Sequence, residues 1–422
     1  MWTHWSSTTC NLRVLKMTRL LCSLILIHSC CLYLLIPQVT AAEYGAIASL
    51  RFRETYDDNV FFEKVDDFEH RITPSLALAA VTENSSLQAG ASVDIIDYQR
   101  HDELDTVDQY YQILAGLSPS PRLLLDVTGT YVRDTTFRSA LEETGIIANR
   151  DKREQATVSP MATFQLTPRD QLQLFYKLNS TQFEDERTAD YVDHDLRLSW
   201  RHALRNERTN VVIILGGSDT DYDDTINNPG EKLKQRTVGG VVGFDHQLSD
   251  TSTFRLVAGP RYTTSEFRGS ERDDEKSVGF LGDAVLTWRS ERTTVSMRAN
   301  QGYVPSTLGT NMNRTLVNLT VGYRLTERLG CSLSGYYRNS KSDSDDAEDE
   351  FKNRAFAVRP ELNYQLPWNM NLRLGYSYTW AEDKVANEKD TRNRVFLELR
   401  WVIHRPEWRI RQPSPLVEWP WR

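Results

Sequence analysis

Residues able to do chemistry are sparse in this chain. Beyond residue 42 it holds six histidines, His70, His101, His194, His202, His246 and His404, and none stands in a motif that pairs it with a serine nucleophile. Asp219, Asp221, Asp223 and Asp224 begin like a calcium loop. However, Asp224 stands where the sixth position requires glycine, and Gly230 where the twelfth requires glutamate. That run, and the second acidic run of Asp343, Asp345, Asp346, Glu348 and Glu350, could hold a divalent cation only loosely. Four of the five cysteines (Cys10, Cys22, Cys30 and Cys31) precede residue 42, so Cys331 stands alone and neither an intramolecular disulfide nor a thiolate cluster can form beyond it. No catalytic residue, metal site or cofactor is expected.

What remains is arginine. Arg197, Arg201, Arg255, Arg261, Arg298, Arg324, Arg359, Arg373 and Arg394 recur on the polar side of segments whose other side is apolar. Side chains so placed would line a bore, and rings of arginine and lysine favour anions in pores. The same faces carry Arg51, Arg53, Lys177, Arg338 and Arg400 and a smaller set of acids, Asp94, Asp126, Asp193, Asp195, Asp283, Glu361 and Glu398. The expected wall is therefore net basic. The contrary outcome is that the arginines pair with the acids, fill the bore and stiffen it.

The elements that must position these residues have a period of two. Over residues 315–325, Thr315, Val317, Leu319, Val321, Tyr323 and Leu325 fall on one side of an extended chain, and Leu316, Asn318, Thr320, Gly322 and Arg324 fall on the other. After a turn at Thr326-Glu327-Arg328 the alternation resumes through Leu329, Cys331, Leu333, Gly335 and Tyr337. This is a hairpin with arms of about ten residues, the length that crosses a bilayer. Similar arms recur around short turns at Thr82-Glu83-Asn84-Ser85, Ser118-Pro119-Ser120-Pro121, Thr167-Pro168-Arg169-Asp170, Leu204-Arg205-Asn206-Glu207, Ser249-Asp250-Thr251-Ser252, Arg289-Ser290-Glu291-Arg292 and Pro367-Trp368-Asn369. The intervening connections, such as 134–153, 219–235, 268–276, 340–352 and 381–391, are long.

This pattern predicts a transmembrane antiparallel up-and-down β-barrel of about 18 strands (16–20), with long extracellular loops and short periplasmic turns. Tyr131, Tyr176, Trp200, Trp288, Tyr337, Trp380 and Trp401 would sit at headgroup level. Pro360 falls inside an arm and calls for a bulge or a strand end. A mean hydropathy of −0.51 excludes a helical membrane protein but not a barrel, whose lumen residues alternate with lipid residues.

The one long apolar run, residues 20–37, follows Arg13, Lys16 and Arg19 and precedes the small-residue site at Ala41-Ala42. Residues 1–42 therefore read as a secretory signal cleaved near Ala42, with Met1 or Met17 as the start. Setting its three basic residues aside leaves 47 basic against 58 acidic residues, a net charge of −11. The expected domains are the signal (1–42), the barrel (43–403) and a periplasmic tail (404–422).

At residues 54–61, ETYDDNVF, followed by Ile72-Thr73-Pro74-Ser75-Leu76 and the short turn to Leu87, the chain resembles the outer-membrane β-barrel porin family associated with exopolysaccharide and exosortase loci. The resemblance implies residence in the Gram-negative outer membrane and a role in polysaccharide export or general permeation. The tail after Trp401 departs from the usual barrel, which ends on an aromatic residue of its last strand. The expected partners are outer-membrane lipid and lipopolysaccharide, the barrel assembly machinery and polysaccharide-export proteins; no nucleic acid is expected. Taken together, the sequence points to a porin-like channel for anionic saccharide and not to an enzyme, with a plugged structural or adhesive barrel as the alternative.

Overall fold

The computed structural model describes residues 42–403 apart from 63, 136–150, 185–187, 224–231, 270–272, 307–310, 343–350 and 386. The expected signal, the tail after residue 403 and His404 lie outside the described residues, save Ala42. Eighteen strands follow one another: β1 (Glu43–Asp57), β2 (Asp67–Val81), β3 (Ser85–Tyr98), β4 (Thr106–Ser120), β5 (Leu123–Thr135), β6 (Lys152–Gln165), β7 (Asp170–Phe183), β8 (Tyr191–Ala203) and β9 (Thr209–Tyr222). The series continues with β10 (Lys232–Ser249), β11 (Ser252–Arg268), β12 (Glu275–Arg289), β13 (Thr293–Pro305), β14 (Asn311–Arg324), β15 (Leu329–Ser342), β16 (Lys352–Leu366), β17 (Met370–Asp383) and β18 (Glu388–Val402). Each pairs with its sequence neighbours, and β18 pairs antiparallel with β1 from Ser49↔Val402 to Asp57↔Arg394, which closes the sheet. The fold is a closed 18-stranded antiparallel β-barrel of the outer-membrane type.

Closure leaves no edge, and the pleat then sorts side chains by parity. Leu76, Leu87, Ile113, Leu174, Leu198, Leu215, Val242, Leu319, Leu333, Leu374 and Leu397 all stand on the outer face and remain exposed. An apolar belt of this extent is far larger than a soluble surface tolerates, and it requires lipid. Trp200, Trp288, Tyr323, Tyr364 and Trp401 lie on the outer face toward the short turns. No helix among the described residues is long and apolar enough to cross a membrane.

The short turns all fall at one end of the barrel, where β1 also begins and β18 ends. Three details differ from expectation. First, the strands outrun ten residues: β14 and β15 have 14 each, and the connection expected over 381–391 shrinks to residues 384–387. The extra length lies at the loop end, where outward-facing ion pairs hold the strands together in place of lipid: Lys234 with Asp219 and Asp221 at 3.1 and 3.0 Å, and Arg236 with Glu266 at 2.9 Å.

Second, β4 runs on through Ser120 with an irregular register after Leu117, which moves the proline turn to Pro121-Arg122. Third, Pro360 makes no bulge. The β15–β16 register runs straight through Leu333↔Pro360, while the β16–β17 ladder skips Arg359 and Pro360 and resumes in the same register at Glu361↔Gly375. Pro74, Pro160 and Pro260 interrupt their ladders in the same way. A missing N–H removes one bond from one flank, and the partner on the other flank keeps the strand in line.

Candidate functional site: the barrel interior

The nine arginines expected to line the bore stand on inward-facing strand positions, and most meet an acid. Arg197 donates Nε–H to Asp195 at 2.9 Å. Arg201 and Arg255 converge on Asp245 at 2.7 and 3.4 Å. Arg298 meets Asp283 at 2.7 Å. Arg373 reaches Glu361 at 2.7 Å and Glu398 at 3.0 Å, and Glu398 is shared with Arg53 at 2.9 Å. Arg394 lies 3.8 Å from Asp57, which also accepts a bidentate grip from Arg392.

The other three differ. Arg359 donates to Ser377 Oγ at 3.3 Å and lies over the ring of Tyr336. Arg324 is at the turn-side rim, donating to the carbonyl of Glu291 at 2.5 Å. Arg261 is buried, donates to Thr263 Oγ1 at 2.7 Å and stacks 4.1 Å above the ring of Tyr303.

Several charges of this wall lay beyond the arms as read from sequence. Asp57, Glu69, Asp108, Asp134 and Asp245 face inward, as do Arg71, Arg153 and Arg392; Arg153 meets Asp134 at 3.0 Å, and Arg71 meets Glu69 at 2.9 Å and Asp94 at 3.3 Å. The signal for them was continued alternation past the apolar belt. With these acids included, the basic excess of the wall shrinks. A charge leaves water at large cost unless it is paired and hydrogen-bonded, so the pairing is what allows so many ionised groups on one inner surface.

Charge is not spread evenly around the bore. Most of the paired arginines occupy β8 through β2, whereas the inward positions of β3 to β7, apart from Arg153, Lys177 and the carboxylates Asp94, Asp108, Asp126 and Asp134, hold mainly amides and hydroxyls. Gln88, Gln112, Thr128, Thr130, Gln155, Thr157, Gln173 and Asn179 stand there, tied laterally by Gln155 to Thr181 at 3.1 Å and Thr157 to Asn179 at 2.7 Å. Gln112 faces inward and is nonetheless exposed, which marks open space on this side. A cavity of about 860 Å³ opens at the turn end of the same arc, lined by Ser86, Gln88, Asp126, Thr128, Thr163 and Gln165 among others. A smaller one of about 330 Å³, bounded by Thr106, Asp108, Asp134 and Lys152, lies at the loop end of β4 to β6.

The bore is narrowed by two segments that the sequence did not place there. The first loop carries a short 3-10 turn, Val60–Phe62, whose three residues are buried. Phe61 packs with Ile96, Tyr98 and Leu104, and Phe62 packs with Ala355 and Ala381 and against Tyr336. Leu104 belongs to the β3–β4 connection and the other partners are inward residues of β3, β15, β16 and β17, so the loop folds inward over the loop-end mouth. Phe61 and Phe62 hold φ of 59° and 62°, a left-handed conformation that is strained for bulky side chains and persists only when packing fixes it.

The second segment is the loop end of the β13–β14 hairpin. Tyr222 Oη donates to Asn311 Oδ1 at 2.8 Å, and Gln235 Oε1 accepts from the Asn311 backbone N–H at 2.8 Å. β9 and β10 therefore grip a strand that is four or five places away in the wall. Beneath this contact lies an apolar cluster of inward residues, Val212, Ile214, Val241, Val257, Leu281 and Tyr303.

The remaining candidates are occupied. His101 meets Asp67 at 2.8 Å, His194 meets Tyr176 at 2.7 Å, His202 meets Asp170 at 2.8 Å, His246 meets Thr209 at 2.9 Å, and His70 meets Glu54. Asp219 and Asp221 are engaged by Lys234. Among the described residues no group of three His, Cys, Asp or Glu side chains could hold a metal ion; Asp224, Gly230 and residues 343–350 lie outside them. Cys331 is on the outer face opposite Tyr323 and Leu362.

Comparison with solved structures returns large outer-membrane barrels. The outer membrane protein opdK of Pseudomonas aeruginosa is 12% identical with a TM-score of 0.43, covering 85% of this chain and 99% of its own. OccAB3 of Acinetobacter baumannii is 12% identical with a TM-score of 0.44, covering 85% and 99%. The alcaligin outer-membrane receptor FauA of Bordetella pertussis is 10% identical with a TM-score of 0.43, covering 84% and 75%. These likenesses concern the fold alone. No curated protein matches the chain. Over residues 198–388, fewer than half of the total, the chain matches the family model described as "Putative MetA-pathway of phenol degradation".

Proposed function

We propose that the chain is an outer-membrane diffusion channel for hydrophilic, hydroxyl-rich solutes of saccharide type, and that they travel along the β3–β7 side of the bore. The observation that carries this reading is the cavity of about 860 Å³, whose polar lining is mainly amides and hydroxyls, set among apolar residues such as Val81, Leu114, Leu124 and Val127. Such groups offer donors and acceptors in equal supply and exchange them easily with the hydroxyls of a passing solute. Eighteen strands leave an interior wide enough for water, so the path would be wet.

Anionic saccharides are the preferred members of the class in this proposal, because the facing arc carries Arg197, Arg201, Arg255, Arg261, Arg298, Arg359, Arg373 and Arg394. Their acid partners weaken this field, so the preference is modest. Export of a polysaccharide, which the resemblance to the exopolysaccharide-associated porins implies, would draw on a periplasmic partner for direction. Swelling of liposomes that carry the protein tests the cargo class: uptake of neutral and acidic monosaccharides at comparable rates, the acidic faster, is expected. Exclusion of sugars while small inorganic ions pass would reject it.

A second reading is a plugged structural barrel. It is favoured by the packing of Phe61 and Phe62 and of the β13–β14 tip inside the mouth, and it expects no flux of any solute.

A further inference from the structure

Arg201 of β8 and Gln171 of β7 stand directly opposite each other in the ladder and both face inward. Gln171 belongs to the wall of the turn-end cavity of about 860 Å³, so that cavity ends against the first strand of the charged arc. The Arg201 side chain is 38% exposed, against 7% for Arg197 on the same strand, and so lies open to the bore.

Its acid partner is shared. Asp245 Oδ2 lies 2.7 Å from Arg201 Nη2, while Asp245 Oδ1 lies 3.4 Å from Arg255 Nε in a geometry that makes no hydrogen bond. Arg255 Nε and Nη2 donate no hydrogen bond among the described residues, and Asp245 Oδ1 accepts none. The next acid on that side, Asp283, is held by Arg298 at 2.7 Å. Two guanidinium groups thus depend on one carboxylate, and the Arg201–Arg255–Asp245 cluster carries one positive charge in excess. The far margin of the cavity has the opposite sign, because Asp126 of β5 lines it three strands from Arg201; Glu83 and Arg122 stand in the turns at its rim.

We propose that Arg201 is the carboxylate-binding end of a saturable site for an acidic monosaccharide of uronate type, with Asp245 as a built-in competitor. The hydroxyls of the sugar occupy the floor formed by Thr163, Gln165 and Gln171, and its carboxylate takes the two-point contact that a planar guanidinium offers. Asp245, displaced from Arg201, closes on Arg255, whose idle Nε–H and Nη2–H receive it, so that no charge is left unpaired on the wall. The step exchanges one carboxylate for another, which keeps binding weak enough for release, as passage requires. Asp126 repels the carboxylate from the far margin and holds the sugar in one orientation. The inference deepens the saccharide-channel reading and rests on it for the cargo, but binding is read without current.

The test is a ligand-observed NMR titration of the detergent-solubilised full chain with D-glucuronate and, separately, with D-glucose. The expected result is saturable binding of glucuronate, tighter than that of glucose and weakened about ten-fold by Arg201→Gln, a loss on the scale of one charge-assisted hydrogen bond. Asp245→Asn, which removes the competitor, should tighten it, a gain that misfolding cannot imitate. Arg373→Gln takes the same charge from β17, nine strands away on the opposite wall, and should change it little because salt screens charges over such a distance. Each variant is first checked for its compact form on unheated gels. Glucuronate binding no tighter than glucose, unaltered by Arg201→Gln or loosened by Asp245→Asn, overturns the site. Equal weakening by Arg201→Gln and Arg373→Gln overturns it too, since the general field of the wall would then account for the binding. The expected variant effects in a chain that passes no current in bilayers support the site and reject the channel reading.

Discussion

Glu398 of β18 and Arg53 of β1 lie 2.9 Å apart across the junction that closes the barrel, and the same carboxylate accepts from Arg373 of β17 at 3.0 Å. At 1% exposure Glu398 holds two guanidinium groups over the ring of Phe396. Removing it leaves both cations on the inner wall, and Arg373 keeps only Glu361. Glu398→Ala should therefore cost about 3 kcal/mol, the usual scale for breaking a buried pair. The check is a lowered urea midpoint for loss of the compact form on unheated detergent gels; Glu388→Ala, at the loop end of the same strand, should leave the midpoint in place.

The first loop should restrict flow through the loop-end mouth. Replacing Phe61 and Phe62 by glycine removes the two rings and relaxes two left-handed residues that together store about 2–6 kcal/mol of backbone strain. The expected outcome is a larger single-channel conductance in planar bilayers with an unchanged compact form. A conductance equal to that of the parent would mean that the loop does not obstruct the path.

The solute path can be placed by obstruction. Gln112→Trp puts a bulky ring into the open arc of β4 and should reduce conductance, because a hydrophobic constriction hinders the passage of ions. Ile113→Trp, one residue along and on the lipid face, should leave it unaltered.

Much of this barrel was legible in the sequence, for a reason that residues 315–338 make plain. A strand buried by lipid on one side and by water or polar neighbours on the other must alternate, and each short turn fixes where the next alternation begins. Parity alone then sends the nine arginines inward. What alternation cannot convey is where a strand goes. Residues 302–305 and 311–314 lie beyond the arms read from sequence, and the side chains of Tyr222, Gln235 and Arg261, distant in sequence, hold them in the bore. The acids Asp57, Asp134 and Asp245 were missed because the arms were bounded by their apolar residues, while the strands run on past the belt. The aromatic pair Phe61-Phe62 read as part of an acidic loop; its burial depends on alanines at 355 and 381 that leave space for a ring.

Orientation follows from the two kinds of connection. With turns in the periplasm, a cysteine at Glu103, between β3 and β4, should react with an impermeant maleimide on intact cells, and one at Asp250, in the β10–β11 turn, should react only after the outer membrane is broken. Both are surface positions, and a Cys331→Ser background removes the native thiol. The reverse labelling pattern would invert the barrel.

The most direct test of the account is the conductance of the purified chain in a planar bilayer under a salt gradient, followed by addition of an acidic saccharide. The channel reading predicts stepwise openings, a reversal potential of modest anion selectivity that moves toward cations in the Arg261→Ala and Arg359→Ala double variant, and transient blocking by the saccharide. A correctly folded barrel that passes no current, or one that is cation-selective and indifferent to the saccharide, would contradict it.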